Sequence, residues 1–263
     1  MVREDIKEFI KTIPGNVTIV AASKYVDEND MKHLLDAGIC DFGENRVESF
    51  LVKHEQLKDL PIKWHFIGHL QRNKAKERLL NHGVVAFPTE TVMGLGVVFD
   101  DFEAYQKLNN IKRRPEDKPY TMMVKSTAEI QKYAVINEVT QRIIDAFMPG
   151  SITILVPAKE NSVPNYVTHN TNVIGIRVPT NKEAKLLLEE VNVPLLVPSA
   201  NRSGEKPALN SDEVKEIFGS EIDTIIPGES QKERPSTIVD LSGEEVKVVR
   251  EGPISFEEIK KMF

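Results

Sequence analysis

The sequence is poor in cysteine and has no long apolar run. Cys40 is the only cysteine among 263 residues, so no disulfide can form within the chain. A low cysteine content favours a reducing compartment. No segment approaches the ~20 consecutive apolar residues of a transmembrane helix, and the charged N-terminus lacks the apolar stretch of a signal peptide. These absences predict a cytoplasmic protein without a membrane partner.

The chain also lacks an excess of positive charge. Its net charge is −6, with 40% hydrophobic and 28% charged residues, which is ordinary for a soluble globular protein. Because nucleic-acid phosphates favour clustered cations, this composition argues against general nucleic-acid binding but allows a local basic site for a small phosphorylated ligand. The sequence has no internal repeat and no flexible linker, and its length fits one large domain or two modest ones.

Strand and helix patterns alternate in the first eighty residues. The predicted strands are 17–22, 41–44 and 64–70, and the predicted helices are 27–37, 46–58 and 73–81. Either Asp27 or Asn29 can cap the first of these helices. Strands separated by helices of this length predict parallel strands with right-handed crossovers.

The pattern changes after Gly83, where shorter apolar segments are separated by many prolines. The predicted strands are 84–87, 121–124, 152–156, 173–178, 195–198, 224–226, 237–240 and 246–250. The predicted helices are 102–109, 127–133, 137–147, 182–191 and 211–218. These segments predict an α/β fold with a twisted, mixed sheet wrapped by helices.

Three polar segments in this part follow strand or helix ends. Residues 88–96 (PTETVMGLG) combine hydroxyls with glycines that let the backbone approach a ligand. Residues 111–119 (IKRRPEDKP) hold four cations that could clamp a polyphosphate. Residues 198–204 (PSANRSG) place small polar groups at a strand end, where α/β proteins often bind ligands. Taken singly, each segment also has a purely structural interpretation. The first could be a turn, the second a solvated basic loop and the third a capped turn.

Seven segments in a fixed order resemble the YrdC-like threonylcarbamoyl-AMP synthases over most of the chain after Gly83. They are PTETVMGLG, IKRRPEDKP, PGSITILVP, IGIRVP, PSANRSG, PSTIVD and VVREG. The resemblance implies a largely parallel, twisted α/β sheet around a positively charged cavity. It also implies a nucleotidyltransferase that condenses L-threonine, bicarbonate or CO2 and ATP into threonylcarbamoyl-AMP and pyrophosphate, with Mg2+ as the counter-ion. Downstream transferase proteins would use this product to make threonylcarbamoyladenosine in tRNA.

The resemblance also implies roles for individual residues. Lys112 and Arg114 would be catalytic and, with Lys118, would hold the ATP phosphates. The nucleotide side of the site would be completed by Ser199, Asn201 and Arg250. The threonine side would be formed by Thr91, Arg177 and Ser236, with Arg177 pairing with the threonine carboxylate. No protein nucleophile is needed, which agrees with the absence of a Ser/His/Asp triad or a zinc spacing.

Two positions depart from the pattern of these synthases. The family usually has tyrosine where this chain has Met93, and often histidine where it has Met123; both positions are expected near the threonine pocket. Related YrdC-like proteins without proven synthase activity often lose the S-A-N element. This chain keeps it at Ser199–Asn201, which favours the synthase.

The first part of the chain resembles a different family. Residues 17–24 (VTIVAASK), 41–46 (DFGENR) and 64–74 (WHFIGHLQRNK) resemble the start of the YggS-type pyridoxal-phosphate-binding proteins, with Lys24 at the Schiff-base position. That family uses a complete (β/α) barrel, whereas only about three βα units, resembling part of a TIM barrel, are present here. We therefore expect a non-catalytic segment at 1–76 and a YrdC-like domain at 77–263, whose first strand and helix are supplied by 64–81. The alternative is a recombined or non-catalytic protein that binds nucleotide or RNA in the YrdC-like cavity, or pyridoxal phosphate through Lys24.

Overall fold

The computed structural model describes residues 6–23, 26–44, 47–67, 70–114, 119–230 and 234–263. The chain divides into two compact units, Met1–Asn73 and Lys74–Phe263. The division lies close to the predicted domain boundary after residue 76. Within the described ranges, no helix is long and apolar enough to cross a membrane.

The smaller unit is a three-stranded parallel sheet with helices between its strands. Its elements are α1 (Ile6–Lys11), β1 (Val20–Ala22), α2 (Glu28–Asp36), β2 (Asp41–Glu44), α3 (Val47–Gln56) and β3 (Lys63–Phe66). The strands lie in the order β1-β2-β3, and both pairs are parallel, as the alternating pattern predicts. Of the two candidate caps of α2, Asp27 is the one used, since its Oδ1 accepts a hydrogen bond from the backbone N–H of Asp30 at 2.8 Å. The buried core is formed by Met31, Ile39, Phe42 and Leu57.

The larger unit contains a nine-stranded sheet. Its strands are β4 (Val85–Phe87), β5 (Gly94–Val98), β6 (Thr121–Met123), β7 (Ile152–Pro157), β8 (Val173–Arg177), β9 (Leu195–Leu196), β10 (Thr224–Ile225), β11 (Thr237–Asp240) and β12 (Lys247–Arg250). Its helices are α4 (Leu70–Leu80), whose first residues precede the division, α5 (Phe102–Lys112), α6 (Thr127–Tyr133), α7 (Glu138–Phe147), α8 (Asn165–Thr168), α9 (Lys182–Val191), α10 (Ser211–Phe218) and α11 (Phe256–Lys260).

The sheet is mixed, as expected, but it is not largely parallel. The strand order is β10-β4-β5-β9-β6-β8-β7-β11-β12. The parallel pairs are β10 with β4, β6 with β8, and β7 with β11. The other neighbouring pairs are antiparallel. Two of these pairs, β4 with β5 and β11 with β12, join strands separated by only six residues, and a connection this short cannot hold the crossover that parallel pairing requires.

Alternation along the strands separates two hydrophobic cores on opposite faces of this sheet. In β4, for example, Ala86 belongs to one core, whereas Val85 and Phe87 belong to the other. The first core includes residues of α5, α6, α7 and α10. The second core includes residues of α4 and α9, among them Ala75 and Leu187. The second face is therefore the one covered by α4 and α9.

One part of the predicted domain organisation is wrong. Strand β3, within the segment expected to start the YrdC-like sheet, pairs with β2 in the smaller sheet. The place beside β4 is taken instead by β10, with Thr224 opposite Val85. The predicted helix does contribute to the larger unit, because Ala75 and Leu79 of α4 are fully buried in its second core. Among the residues of the 64–81 segment that the structure describes, the larger unit thus takes a helix but no strand.

Candidate active site

A cavity of about 150 Å³ lies where the polar motifs of the larger unit meet. Alternation places Thr121, Met123, Arg177 and Ile238 on the same sheet face as the α4 and α9 core. The lining residues are Thr89, Thr91, Val92, Met93, Gly94, Arg114, Pro119, Tyr120, Thr121, Met123, Arg177, Val197, Pro198, Ser199, Pro235, Ser236, Ile238 and Arg250. Six of the residues given a site role from the sequence are among them, and so are Met93 and Met123.

The cavity is strongly cationic although the protein is acidic overall. Three arginines, Arg114, Arg177 and Arg250, line it, and none of its described lining residues is acidic. Burial lowers the pKa of the Arg250 guanidinium, and the nearby charge of Arg177 adds to the effect. Like charges held this close favour a negatively charged ligand between them.

Arg250 is fixed by the segment that precedes β11. Its Nε and Nη2 donate to the carbonyl oxygen of Ser236 at 3.0 and 2.7 Å. The hydroxyl of Ser236 lies 2.9 Å from that of Thr153 on β7. The last strands of the sheet therefore hold both a guanidinium and a hydroxyl at the cavity wall.

Arg177 stands at the end of β8 and is held from two sides. Its Nη2 donates to Thr91 Oγ1 at 2.9 Å and to Glu90 Oε1 at 2.6 Å, and its Nε donates to the same Glu90 oxygen at 3.1 Å. Thr91 Oγ1 also lies 3.0 Å from the hydroxyl of Thr89. Both residues predicted for the threonine side at this edge, Thr91 and Arg177, are thus brought together.

Lys112, which the family resemblance predicts to hold the ATP phosphates, is not among the residues that line the cavity. It is buried at the end of α5, where its ammonium donates to the carbonyl oxygens of Ser199 and Asn201, both at 2.6 Å, and to Asn201 Oδ1 at 3.2 Å. These acceptors match the three donors of an ammonium group. Burial, together with the charges of Arg114 and Arg202, lowers the pKa of Lys112 to about 7.

The side chain of Asn201 is also committed to the turn that contains it. Its Oδ1 accepts from Ser199 Oγ at 2.6 Å and from Lys112, and its Nδ2 donates to the carbonyl oxygens of Arg202 and Glu205, each at 2.8 Å. Asn201 therefore shapes the turn, and within this motif it is Ser199 that lines the cavity.

Backbone hydrogen bonds join the turn at 198–201 to the segment at 88–96. The N–H of Ala200 donates to the carbonyl of Met93 at 2.7 Å, and the N–H of Leu95 donates to the carbonyl of Pro198 at 2.9 Å. Met93 and Met123, the two departures from the synthase pattern, are both buried and both line the cavity. Two motifs more than a hundred positions apart in sequence thus form a single wall.

Arg114 reaches the cavity from beyond the end of α5. Its guanidinium lies over the ring of Tyr120, 4.5 Å from the ring centroid, and its Nη2 donates to the carbonyl of Pro119 at 2.8 Å. Cation–π and carbonyl contacts hold the planar group in a defined orientation. Two further predicted residues, Lys118 and Lys24, lie outside the described residues.

Sequence reasoning assigned no role to Glu90, Arg202 or Tyr120. Glu90 stands within a quoted motif, but its partner Arg177 is 87 positions away. Arg202 donates to the carbonyl of Ile111 and pairs with Glu221, which ties the turn at 198–204 to α5. The sequence signal that could have indicated Glu90 is its position as a single acid between Thr89 and Thr91 in an otherwise uncharged motif. No sequence signal indicates a role for Tyr120.

The family is shown by comparison with known proteins. Residues 77–252 match the Sua5/YciO/YrdC family, whose description is telomere recombination. The chain is 32% identical over 210 residues to a putative threonylcarbamoyl-AMP synthase of Methanocaldococcus jannaschii, covering 78% of this chain and 99% of the relative.

Two solved structures have the same fold as the larger unit. The crystal structure of P. abyssi Sua5 complexed with L-threonine matches with a TM-score of 0.69 and 32% identity, over 72% of this chain and 56% of that one, so the chain spans little more than half of the Sua5 length. Escherichia coli YciO matches with a TM-score of 0.67 and 28% identity, over 72% of this chain and 92% of that one. The resemblance found in the sequence after Gly83 is thereby confirmed: the chain belongs to the Sua5/YciO/YrdC family.

Proposed function

We propose that the larger unit is a threonylcarbamoyl-AMP synthase. The observation that carries the proposal is the cavity with Arg114, Arg177 and Arg250 in its wall and no acidic side chain among its described lining residues. All three proposed substrates carry negative charge, since L-threonine has a carboxylate, ATP has phosphates and bicarbonate is itself an anion. The names of the M. jannaschii relative and of the threonine-bound P. abyssi structure support the same assignment.

The proposed chemistry needs no protein nucleophile. The amine of L-threonine takes up bicarbonate, with loss of water, to give a carbamate. A carbamate oxygen then attacks the α-phosphorus of ATP, the bond to the β-phosphate oxygen breaks, and pyrophosphate leaves. The protein's contribution is to hold the two anions together and to neutralise the charge that develops on the phosphates.

We assign the cavity residues to two sides of the site. Arg114, Arg250 and Ser199 would contact the nucleotide, together with Lys118. The L-threonine would lie against Thr91, Arg177 and Ser236, with Met93 and Met123 beside it. The contacts of Lys112 and Asn201 support a positioning role, because their polar groups hold the turn that presents Ser199.

Mg2+ enters this proposal as part of the substrate MgATP. The cavity's described wall offers hydroxyls, guanidiniums and backbone groups but no carboxylate, and no cluster of metal-ligating side chains is found among the described residues. Magnesium prefers oxygen ligands, keeps several waters and commonly binds through substrate phosphates. The ATP phosphates would therefore be its main ligands.

The smaller unit is proposed to be non-catalytic. Its described strands are the three parallel strands β1, β2 and β3, which cannot close into a barrel that would hold a cofactor phosphate. At the carboxyl end of these strands, Glu44 is buried and paired with Lys53 at 2.6 Å, and its Oε1 also accepts from Ser23 Oγ at 3.0 Å. These contacts support a structural role, and pyridoxal phosphate added to the protein should give no borohydride-sensitive visible absorbance at Lys24.

The product is proposed to pass to transferase proteins that modify tRNA.

Pyrophosphate release in the presence of ATP, L-threonine and bicarbonate tests the synthase assignment. We expect release only when all three are present, because the carbamate is the nucleophile. Release that persists without L-threonine, or no release at all, would instead point to a protein that binds nucleotide or RNA without this activity.

A further inference from the structure

Glu90 is a buried carboxylate behind the cavity wall. Its side chain is 7% exposed and that of its partner Arg177 is 8% exposed. Oε1 of Glu90 accepts from Nε and Nη2 of Arg177, at 3.1 and 2.6 Å. A buried charge is costly unless it is paired and fully hydrogen-bonded, so this pairing largely determines how Arg177 can sit.

The other oxygen of Glu90 is fixed by the start of α9. Oε2 accepts from the backbone N–H groups of Thr180 and Asn181, at 3.1 and 3.2 Å. Asn181 is the N-cap of α9, so a negative charge here also interacts favourably with the helix dipole. The carboxylate is thus held by four donors and cannot turn without losing several of them.

One of the two terminal amino groups of Arg177, Nη1, takes no part in the contacts with Glu90 and Thr91. Nε and Nη2 are used by Glu90 and Thr91, while Nη1 makes no hydrogen bond to any described residue. Arg177 lines the cavity together with Arg250, whose pKa it helps to lower. An anion in the cavity can therefore be met by Nη1, while Glu90 balances part of the local positive charge.

We propose that Glu90 is a positioning residue that orients Arg177, so that Nη1 is presented to the carboxylate of an amino-acid substrate. This role rests on the proposed function, since it identifies that carboxylate as the one of L-threonine. Glu90 itself does not touch the substrate in this account. Its effect should appear in the recognition of the carboxylate and not in the binding of the rest of the amino acid.

Glu90→Gln is the informative substitution because it keeps the shape and removes the charge. An amide has only one acceptor oxygen, so its NH2 group must face either Arg177 or the N–H groups at the start of α9, all of which are donors. The first arrangement sets a donor against Arg177 directly, and the second repels the side chain from the start of α9 and so displaces the oxygen that holds Arg177. Asp223→Asn is the matched control: Asp223 also pairs with a cation, Lys107 at 2.6 Å, and also accepts from a backbone N–H, that of Val84 at 2.8 Å, but it does not line the cavity.

Calorimetric titration of the full chain with L-threonine and with L-threoninamide tests the role. The wild type should bind L-threonine more tightly, since threoninamide lacks the carboxylate. In Glu90→Gln, the affinity for L-threonine should fall by roughly tenfold or more, whereas the affinity for threoninamide should change little, as expected for a lost charge-assisted contact. Asp223→Asn should keep the wild-type preference.

If Glu90→Gln keeps the wild-type preference for L-threonine over threoninamide, whether both affinities fall equally or neither changes, the role of Glu90 is overturned. If Glu90→Gln does not fold, Glu90→Asp carries the same test, because the shorter side chain keeps the charge but cannot reach both Arg177 and the start of α9. A wild-type protein that does not bind L-threonine would overturn the proposed function itself, and this role with it. Wild-type binding with an unaltered preference in the variants overturns the role of Glu90 alone.

Discussion

At the residue scale, Lys112 lies beside the cationic cavity but is not one of its lining residues. Its ammonium holds the carbonyl oxygens of Ser199 and Asn201, which lie 87 and 89 positions away. The cluster of cations at 111–119 predicts a phosphate site from the sequence alone. Which of those cations lines the cavity depends on partners far away in the sequence, so the motif alone does not predict that the ammonium of Lys112 is held by Ser199 and Asn201.

The lowered pKa of Lys112 predicts a pH dependence of stability. Burial, with the charges of Arg114 and Arg202, brings this pKa to about 7 in the folded protein, whereas an unfolded lysine titrates near ~10.4. Between these values the unfolded chain binds the extra proton, so this group's contribution to stability rises with pH. Relative to Lys112→Met, the wild type should gain up to about 1.4 kcal/mol of unfolding free energy per pH unit above pH ~7.

Denaturant unfolding of both proteins at several pH values between neutral and about pH 9 measures this difference. Titrations of all other groups are shared and cancel. A difference that stays constant over this range would contradict the lowered pKa and show an ammonium that remains protonated among its three oxygen acceptors.

Arg114 is expected to be essential for turnover but not for folding. Its guanidinium lines the cavity, where it is oriented by Tyr120 and Pro119. Arg114→Ala should lower the rate of pyrophosphate release by roughly 100-fold or more, as expected when charge stabilisation of a transferring phosphoryl group is removed. Arg142→Ala, which removes an exposed cation from α7, is the control and should leave the rate unchanged. Equal rates in the two variants would contradict the role of Arg114.

At the scale of single elements, capped helices were predictable and glycine-rich strands were not. Helix α9 has the predicted bounds, Lys182–Val191, because Asn181 caps it through Oδ1, which accepts from the N–H groups of Glu183 and Ala184. Strand β5 (Gly94–Val98) was missed, because its glycines indicated a turn. A Cβ atom at Gly96 would lie 2.7 Å from Cε1 of Phe87. The glycine is required there by close packing within the sheet, which a sequence read locally does not reveal.

Gly96→Ala should therefore destabilise the larger unit. Phe87 is fully buried and cannot move aside easily, so the added methyl group overpacks the core at a cost of about 1–3 kcal/mol. Thermal or denaturant unfolding measures the change. Gly243→Ala is the control, because a Cβ atom at Gly243 meets nothing within 4 Å. Equal stability of the two variants would show that β5 is not packed as described.

At the scale of the whole molecule, the chain divides into two compact units, and helix α4 contains residues of both. The division after Asn73 falls within α4. The sequence indicated two families and placed the change near residue 76, but it also suggested a shared strand, which the pairing of β3 with β2 contradicts. Hydrophobic alternation alone cannot tell which of two sheets a strand will join, since both would bury it equally well.

Truncation at two points tests the place of α4. A fragment that begins at Leu70 keeps the whole helix and should fold with an unfolding temperature close to that of the larger unit in the full chain. A fragment that begins at Gly83 should be less stable, because it loses Ala75 and Leu79, both fully buried in the second core. The loss of one buried leucine alone costs about 2–5 kcal/mol. Equal stability of the two fragments would contradict the assignment of α4 to the larger unit.

Isotope transfer from bicarbonate tests the synthase proposal most directly. The full chain is incubated with ATP, L-threonine and carbon-labelled bicarbonate, and the nucleotide products are separated and weighed by mass spectrometry. We predict an adenylate that contains one threonine and one labelled carbon, formed together with pyrophosphate and absent when Arg114 is replaced by alanine. Pyrophosphate or AMP formed without any label in an adenylate, or no product at all, would contradict the proposal.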